Sequence, residues 1–158
     1  MYTHKSADYV CPFCQMLDPG NRVIHSDLVY EDEKVFSIVS LHWWPNNPGH
    51  VLIIPKKHIE NIYELPFDLS DRIHRLEKHM ALTLKAVYNC DGVSSRQHNE
   101  PAGNQDVWHY HLHVFPRYTG DKLYGSRPEL AASEERLRYA YKLRSHFATH
   151  VPNLEVEG

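Results

Sequence analysis

The chain has 158 residues, with 17 Lys and Arg against 20 Asp and Glu for a formal charge of -3. That length suits one domain with a sizeable core, and the slightly acidic balance excludes a protein that grips nucleic acid through a broad basic surface. Thirteen histidines are the compositional oddity, and their protonation would swing the net charge positive below about pH 7.

The N-terminal residues Met1 to Asp8 contain no apolar run of signal-peptide length, and the longest aliphatic stretch, Val51 to Ile54, is far too short to span a bilayer. A soluble, cytoplasmic protein without a membrane partner is expected. Its ordered part opens at Tyr9-Val10-Cys11-Pro12-Phe13-Cys14. An odd number of cysteines does not make a disulfide framework, so Cys11 and Cys14 read as a metal or redox pair. A redox pair is expected at a strand-to-helix junction, and no strand of substance precedes this one. The spacing favours zinc, whose tetrahedral shell needs two more ligands, and His58 and His109 are the candidates. Four protein ligands leave no open position, so such a metal is structural. Cys90 carries no evident role.

Beyond the loop formers Asp18-Pro19-Gly20-Asn21, the stretches Leu28 to Glu31 and Lys34 to Ser40 predict a hairpin around an acidic turn at Asp32. Leu41 to Gly49 holds prolines, asparagines and two tryptophans and predicts a covering loop. His50-Val51-Leu52-Ile53-Ile54-Pro55 reads as a central strand. A helical turn at Ile59 to Leu65 precedes a long helix, capped by Asp68 or Ser70 and running to about Tyr88. Its stripe of Ile73, Leu76, Met80, Leu84 and Val87 predicts a core face, with His74 and His79 solvated beside it. Val93 to His98 predicts another strand, and Asn99 to Asp106 a loop able to aim backbone N–H groups at an anion. Ser133 to about Phe147 predicts a second helix, with a tail from Pro152 to Gly158.

Between those regions lies Trp108-His109-Tyr110-His111-Leu112-His113-Val114-Phe115-Pro116-Arg117. As a strand rising ~3.3 Å per residue, this run puts His109, His111 and His113 on one face and Tyr110, Leu112 and Val114 on the other. A helix would scatter the imidazoles. Each buried imidazole has two nitrogens needing partners, so three in a row ask for chemistry: nucleophile, acid, base or ligand. Trp108 falls opposite the histidine face and predicts packing. Trp43 and Trp44 allow either stacking on a base or packing, and Arg117 either a phosphate contact or a salt bridge.

Gln105 to Arg117 resembles the signature of the histidine triad (HIT) superfamily, three histidines alternating with apolar residues, and Pro48 to His58 resembles its upstream strand. The resemblance covers most of residues 9 to 118. It implies an α+β fold, a HIT-like antiparallel sheet with one long helix and a C-terminal helix, pairing as a homodimer. The implied organisation is a tail over 1–8, the HIT domain over 9–120, an extension with a helix over 121–151 and a tail over 152–158. It further implies a hydrolase or nucleotidyl transferase acting at the α-phosphate of a nucleotide conjugate, such as a dinucleoside polyphosphate or nucleoside phosphoramidate. His111 would be the nucleophile forming a nucleotidyl-histidine, His113 would hydrogen-bond the phosphate, and His109 and His50 would complete the cluster. Gln105 and the backbone about Asn104 would hold phosphate oxygens. The implied zinc ligands are again Cys11, Cys14, His58 and His109, and no catalytic metal is required. The family pattern is departed from twice, by His42 at the position for the ribose hydroxyls and by Asp106 in place of a small hydroxyl donor. A nucleotide-binding regulatory protein with little turnover is the alternative, and a metal-storage module a third reading.

Overall fold

The computed structural model describes residues 2–20 and 26–151; Asn21 of the expected turn, Met1 and the tail 152–158 lie outside them. Elements follow in the order α1 (Pro12–Met16), β1 (Leu28–Glu31), β2 (Val35–Val39), β3 (His42–Trp43), β4 (Val51–Pro55), α2 (Phe67–Tyr88), β5 (Gly92–Gln97), β6 (Leu112–Arg117), β7 (Glu129–Leu130) and α3 (Ser133–His150). Five strands form an antiparallel sheet in the order β1-β2-β4-β6-β5. The architecture is α+β, with β4 in the middle, as its unbroken apolar run required: all five of its residues are buried.

The β1–β2 turn is held by Asp32, whose carboxylate accepts from the main-chain N–H groups of Lys34 and Val35 at 2.7 and 2.8 Å and from Arg72 of α2 at 2.6 Å. Helix α2 starts at Phe67, with Pro66 before it at φ -61° and no side chain capping the first turn. The expected cap is corrected: proline presets the backbone for entry, and Asp68 falls inside the first turn, where its charge suits the helix dipole. The helix ends at Asn89 in the left-handed conformation, φ 51°. Ile73, Leu76, Met80 and Leu84 are fully buried, each contributing roughly 1.5–3 kcal/mol on removal from water. Together with Ala140, Leu143 and Phe147 of α3 they cover one face of the sheet.

The opposite face carries a smaller cluster in which Phe36, Ile38, Leu52 and Ile54 meet Cys11 and Phe13 of the α1 segment. Two expectations are revised here. The loop at Leu41 to Gly49 includes a short ladder, His42 with Leu130 and Trp43 with Glu129, so the region after β6 folds back onto it. Strand β6 begins at Leu112 rather than Trp108. Upstream, the N–H of Tyr110 goes to the Ile59 carbonyl at 2.6 Å and that of His109 to Val107 at 2.8 Å, taking both away from the β4 ladder. Side-chain alternation survives the bend: Phe13 touches the rings of His109 and His111, while Tyr110, Leu112 and Val114 join the helix-side core. Trp108, ahead of the bend, is half-buried and packs on His4 with ring centroids 5.7 Å apart. Residues 2–8 are no free tail, since Tyr2 and His4 hydrogen-bond to Asn61, Glu60 and Glu100.

Candidate active site

Gly49 introduces the first site residue. At φ +75° a Cβ there would lie 2.3 Å from Tyr139 Cδ1 and 2.8 Å from the Tyr88 hydroxyl, so only glycine fits. The next residue, His50, is 1% exposed. Its ring stacks on Phe115 with centroids 4.5 Å apart, and its Nε2 meets His113 Nδ1 at 3.3 Å. Burial, then the charges of Arg96, His111 and His42, hold its pKa down to about 3. Burial likewise keeps His113 well below the usual imidazole range. Both rings are neutral at physiological pH.

His111 has a defined tautomer. Its Nδ1 lies 2.7 Å from the main-chain oxygen of His109, and a carbonyl can only accept, so Nδ1 bears the hydrogen. Nε2 keeps its lone pair, with Asp106 Oδ1 at 3.8 Å. Burial lowers the His111 pKa, opposed by the bond to His109 and by Asp106. A cavity of about 390 Å³ opens onto His50, His111, His113, His42 and Asp106, with Phe13, Met16, Leu41, Trp44 and Pro128 among its apolar walls. A flat apolar group with a hydrogen-bonding end fits such a lining.

The His109 ring turns into a second cluster. Cys11 Sγ is 3.2 Å from His109 Nδ1, Cys14 Sγ is 3.2 Å from His58 Nδ1, and the four ligand atoms all lie within 4.8 Å of one another. Tetrahedral zinc with bonds of ~2.0–2.3 Å sets ligand atoms about 3.4–3.8 Å apart, so the donors fit. His109 Nε2 donates to the Pro55 carbonyl at 2.8 Å, which aims the Nδ1 lone pair at the sulfurs. Burial holds His109 down to about 4, in its ligating form. Burial and Cys11 push the Cys14 thiol up to about 11, so its thiolate calls for a cation such as this donor set would bind. The Cys-x-x-Cys pair reaches this position on the single turn α1, which starts at Pro12.

The other expected substrate-binding residues are placed unevenly. His42 and Trp44 line the cavity. Trp43 lies in the core, its Nε1 donating to the Ser40 carbonyl at 2.7 Å and its ring on Tyr139. Gln105 spends its amide on main-chain groups, donating to the Glu60 and Val107 carbonyls and accepting from the Glu100 N–H. Asn104 is an exposed turn residue at φ 66°. Arg117 pairs with Asp121 at 2.6 and 2.8 Å, at the far end of β6 from His111.

Two neighbours escaped the sequence reading. His98 donates from Nδ1 to the Gly103 carbonyl at 2.7 Å and sets its ring 5.9 Å from that of His113. Arg96 stands directly across the ladder from His113. Their signal was period two on the expected strand Val93 to His98, but only the register with β6 reveals which face they share.

The family model of the HIT domain matches residues 21–120. An uncharacterized HIT-like protein of Methanocaldococcus jannaschii is 36% identical over 113 residues, 71% of this chain and 82% of the relative. A hypothetical histidine triad nucleotide-binding protein of Sulfolobus tokodaii superimposes with a TM-score of 0.74 at 29% identity, covering 88% of this chain and 93% of that one. A zinc-bound histidine triad family protein of Mycobacterium smegmatis does so with a TM-score of 0.71 at 27% identity, covering 89% and 97%.

Proposed function

The chain belongs to the HIT domain family, and from that premise we propose that it hydrolyses or transfers nucleotides by way of a nucleotidyl-histidine on His111. The observation that carries the reading is the hydrogen bond from His111 Nδ1 to the His109 carbonyl, which leaves a bare Nε2 at the cavity floor. A neutral imidazole so held attacks without a separate base. Nε2 bonds to the α-phosphorus as the bond to the leaving group breaks, and the electron pair departs with that group. Water then attacks the same phosphorus, the N–P bond returns its pair to Nε2, one proton of the water stays on the nucleoside monophosphate and the other goes to solvent.

The remaining roles follow from position. In this reading His50 Nε2 donates to His113 Nδ1, His113 carries its own hydrogen on Nε2 and gives it to a phosphoryl oxygen, and the apolar walls with Trp44 and His42 receive the nucleoside. Cys11, Cys14, His58 and His109 hold zinc as a structural ion, a reading that the zinc-bound Mycobacterium smegmatis relative supports. Nucleotide binding is supported by the Sulfolobus tokodaii relative. Among the described residues β5 ends the strand order, and this edge supports pairing with a second copy of the chain.

The test is release of nucleoside monophosphate from a panel of dinucleoside polyphosphates, phosphoramidates and acyl-nucleotides, with His111→Ala as control. Loss of release in the variant is expected. Tight binding without release across the panel would favour a regulatory nucleotide-binding role instead.

A further inference from the structure

Arg96 projects from β5 on the face that carries the histidines, because it sits directly opposite His113. Its guanidinium lies over three rings, 4.5 Å from the centroid of Phe115, 5.0 Å from Trp44 and 5.4 Å from Tyr124. Two of these rings belong to the site, since Trp44 walls the cavity and Phe115 stacks on both His50 and His113. The Nε of Arg96 is shielded from solvent and has no hydrogen-bond partner. Among the described residues no carboxylate pairs with it; Tyr124 and Arg117 bear on its charge, and that charge in turn acts on the neutral rings of His50 and His113. Arg117 is already neutralised by Asp121. A half-buried guanidinium whose Nε is shielded and unpartnered is costly unless an anion arrives to offset its charge. Cation–π contacts offset part of that cost and fix the fork in place.

His111 and His113 stand on the sheet side of the cavity, and β5 is the next strand outward from them. We propose that Arg96 is a specificity-determining residue that receives an anionic leaving group, so that the part of the substrate expelled from the α-phosphorus is a phosphate or polyphosphate rather than a neutral amine. This inference rests on the reading of His111 as nucleophile. When the P–O bond breaks, its electron pair stays on the bridging oxygen, and an expelled phosphate leaves with added negative charge and no proton. That charge develops on the histidine face, which Arg96 shares with His113. An amine must instead gain a proton as it leaves, and it presents no anion to the guanidinium.

Kinetics of the full chain with diadenosine triphosphate, which expels ADP, and adenosine 5′-phosphoramidate, which expels ammonia, test the inference. In Arg96→Met the ratio of kcat/KM for the first substrate over the second is expected to fall about tenfold, and in Arg96→Lys to recover in part. An unchanged ratio overturns the inference. Calorimetric titration with inorganic pyrophosphate, a probe that needs no turnover, is run on the same proteins and on His111→Asn, with circular dichroism confirming the fold. Pyrophosphate should bind about tenfold more weakly once Arg96 is replaced, in the wild-type and in the His111→Asn background. Equal affinity with and without Arg96 overturns the inference even where turnover is normal. If neither substrate releases monophosphate yet pyrophosphate binding still depends on Arg96, the nucleophile reading fails and the anion site stands.

Discussion

The ring of His111 hangs from the main-chain oxygen of His109 by a 2.7 Å hydrogen bond, while the His109 side chain points into the Cys11, Cys14 and His58 cluster. One residue therefore joins the donor set for a metal to the tautomer of the proposed nucleophile. Whatever loosens the His109 backbone loosens the aim of Nε2.

Removing zinc should thus affect both stability and rate. Chelation of the wild-type protein, or Cys14→Ser, is expected to lower the thermal midpoint and to reduce kcat about tenfold to a hundredfold. Zinc should restore the chelated wild type. Elemental analysis beside the melting curve checks this, and an unchanged midpoint after complete stripping would count against a structural ion.

The two adjacent tryptophans should separate cleanly. Trp44 lines the cavity, whereas Trp43 is 8% exposed and packed against Tyr139. Trp44→Ala is expected to raise KM for nucleotide substrates about tenfold, from loss of a stacking face worth ~1 kcal/mol or more. Trp43→Ala is expected to lose roughly 3–5 kcal/mol of stability. Denaturant melts and steady-state kinetics on the pair distinguish them, and an inverted pattern would refute the placement.

Gly49→Ala probes the entry to His50. A Cβ 2.3 Å from Tyr139 Cδ1 at a backbone φ of +75° forces movement, with an expected loss of roughly 1–3 kcal/mol. Tyr139→Ala should relieve part of it in the double variant. A fully stable single variant would show that the close approach is not real.

Acid should weaken the fold through His50. Burial, followed by the charges of Arg96, His111 and His42, holds its pKa down to about 3, whereas the unfolded chain titrates near ~6.5. Between those values the unfolded chain binds a proton that the native ring refuses. Stability is therefore full above about pH 6.5 and declines as pH falls toward about 3. His50→Gln removes this contribution and should reduce the slope of thermal midpoint against pH between about pH 7.5 and 5. An unaltered slope would contradict the assignment.

Much of this arrangement was legible in residue order, and for physical reasons. Alternation placed His111 and His113 on the face opposite Leu112 and Val114, and the apolar run Val51 to Ile54 announced the central strand. The Cys11–Cys14 spacing announced half of a donor set, and its partners His58 and His109 do stand beside it. What stayed hidden depends on contacts made far along the chain. The pairing of His42 and Trp43 with Glu129 and Leu130 leaves no mark in either segment. Gln105 shows no sign in sequence that its amide is spent on Glu60 and Val107. Arg96 and His98 gain meaning only from the β5–β6 register, which turns their side chains toward the histidines.

The most direct test is the mass of the protein quenched during turnover. With wild-type protein and a dinucleoside polyphosphate, a transient gain of one nucleotidyl group is expected on the peptide containing His111, decaying as monophosphate appears. In His111→Asn neither the gain nor the monophosphate should form. Release at the wild-type rate from that variant, or an adduct on any other residue, would contradict the account.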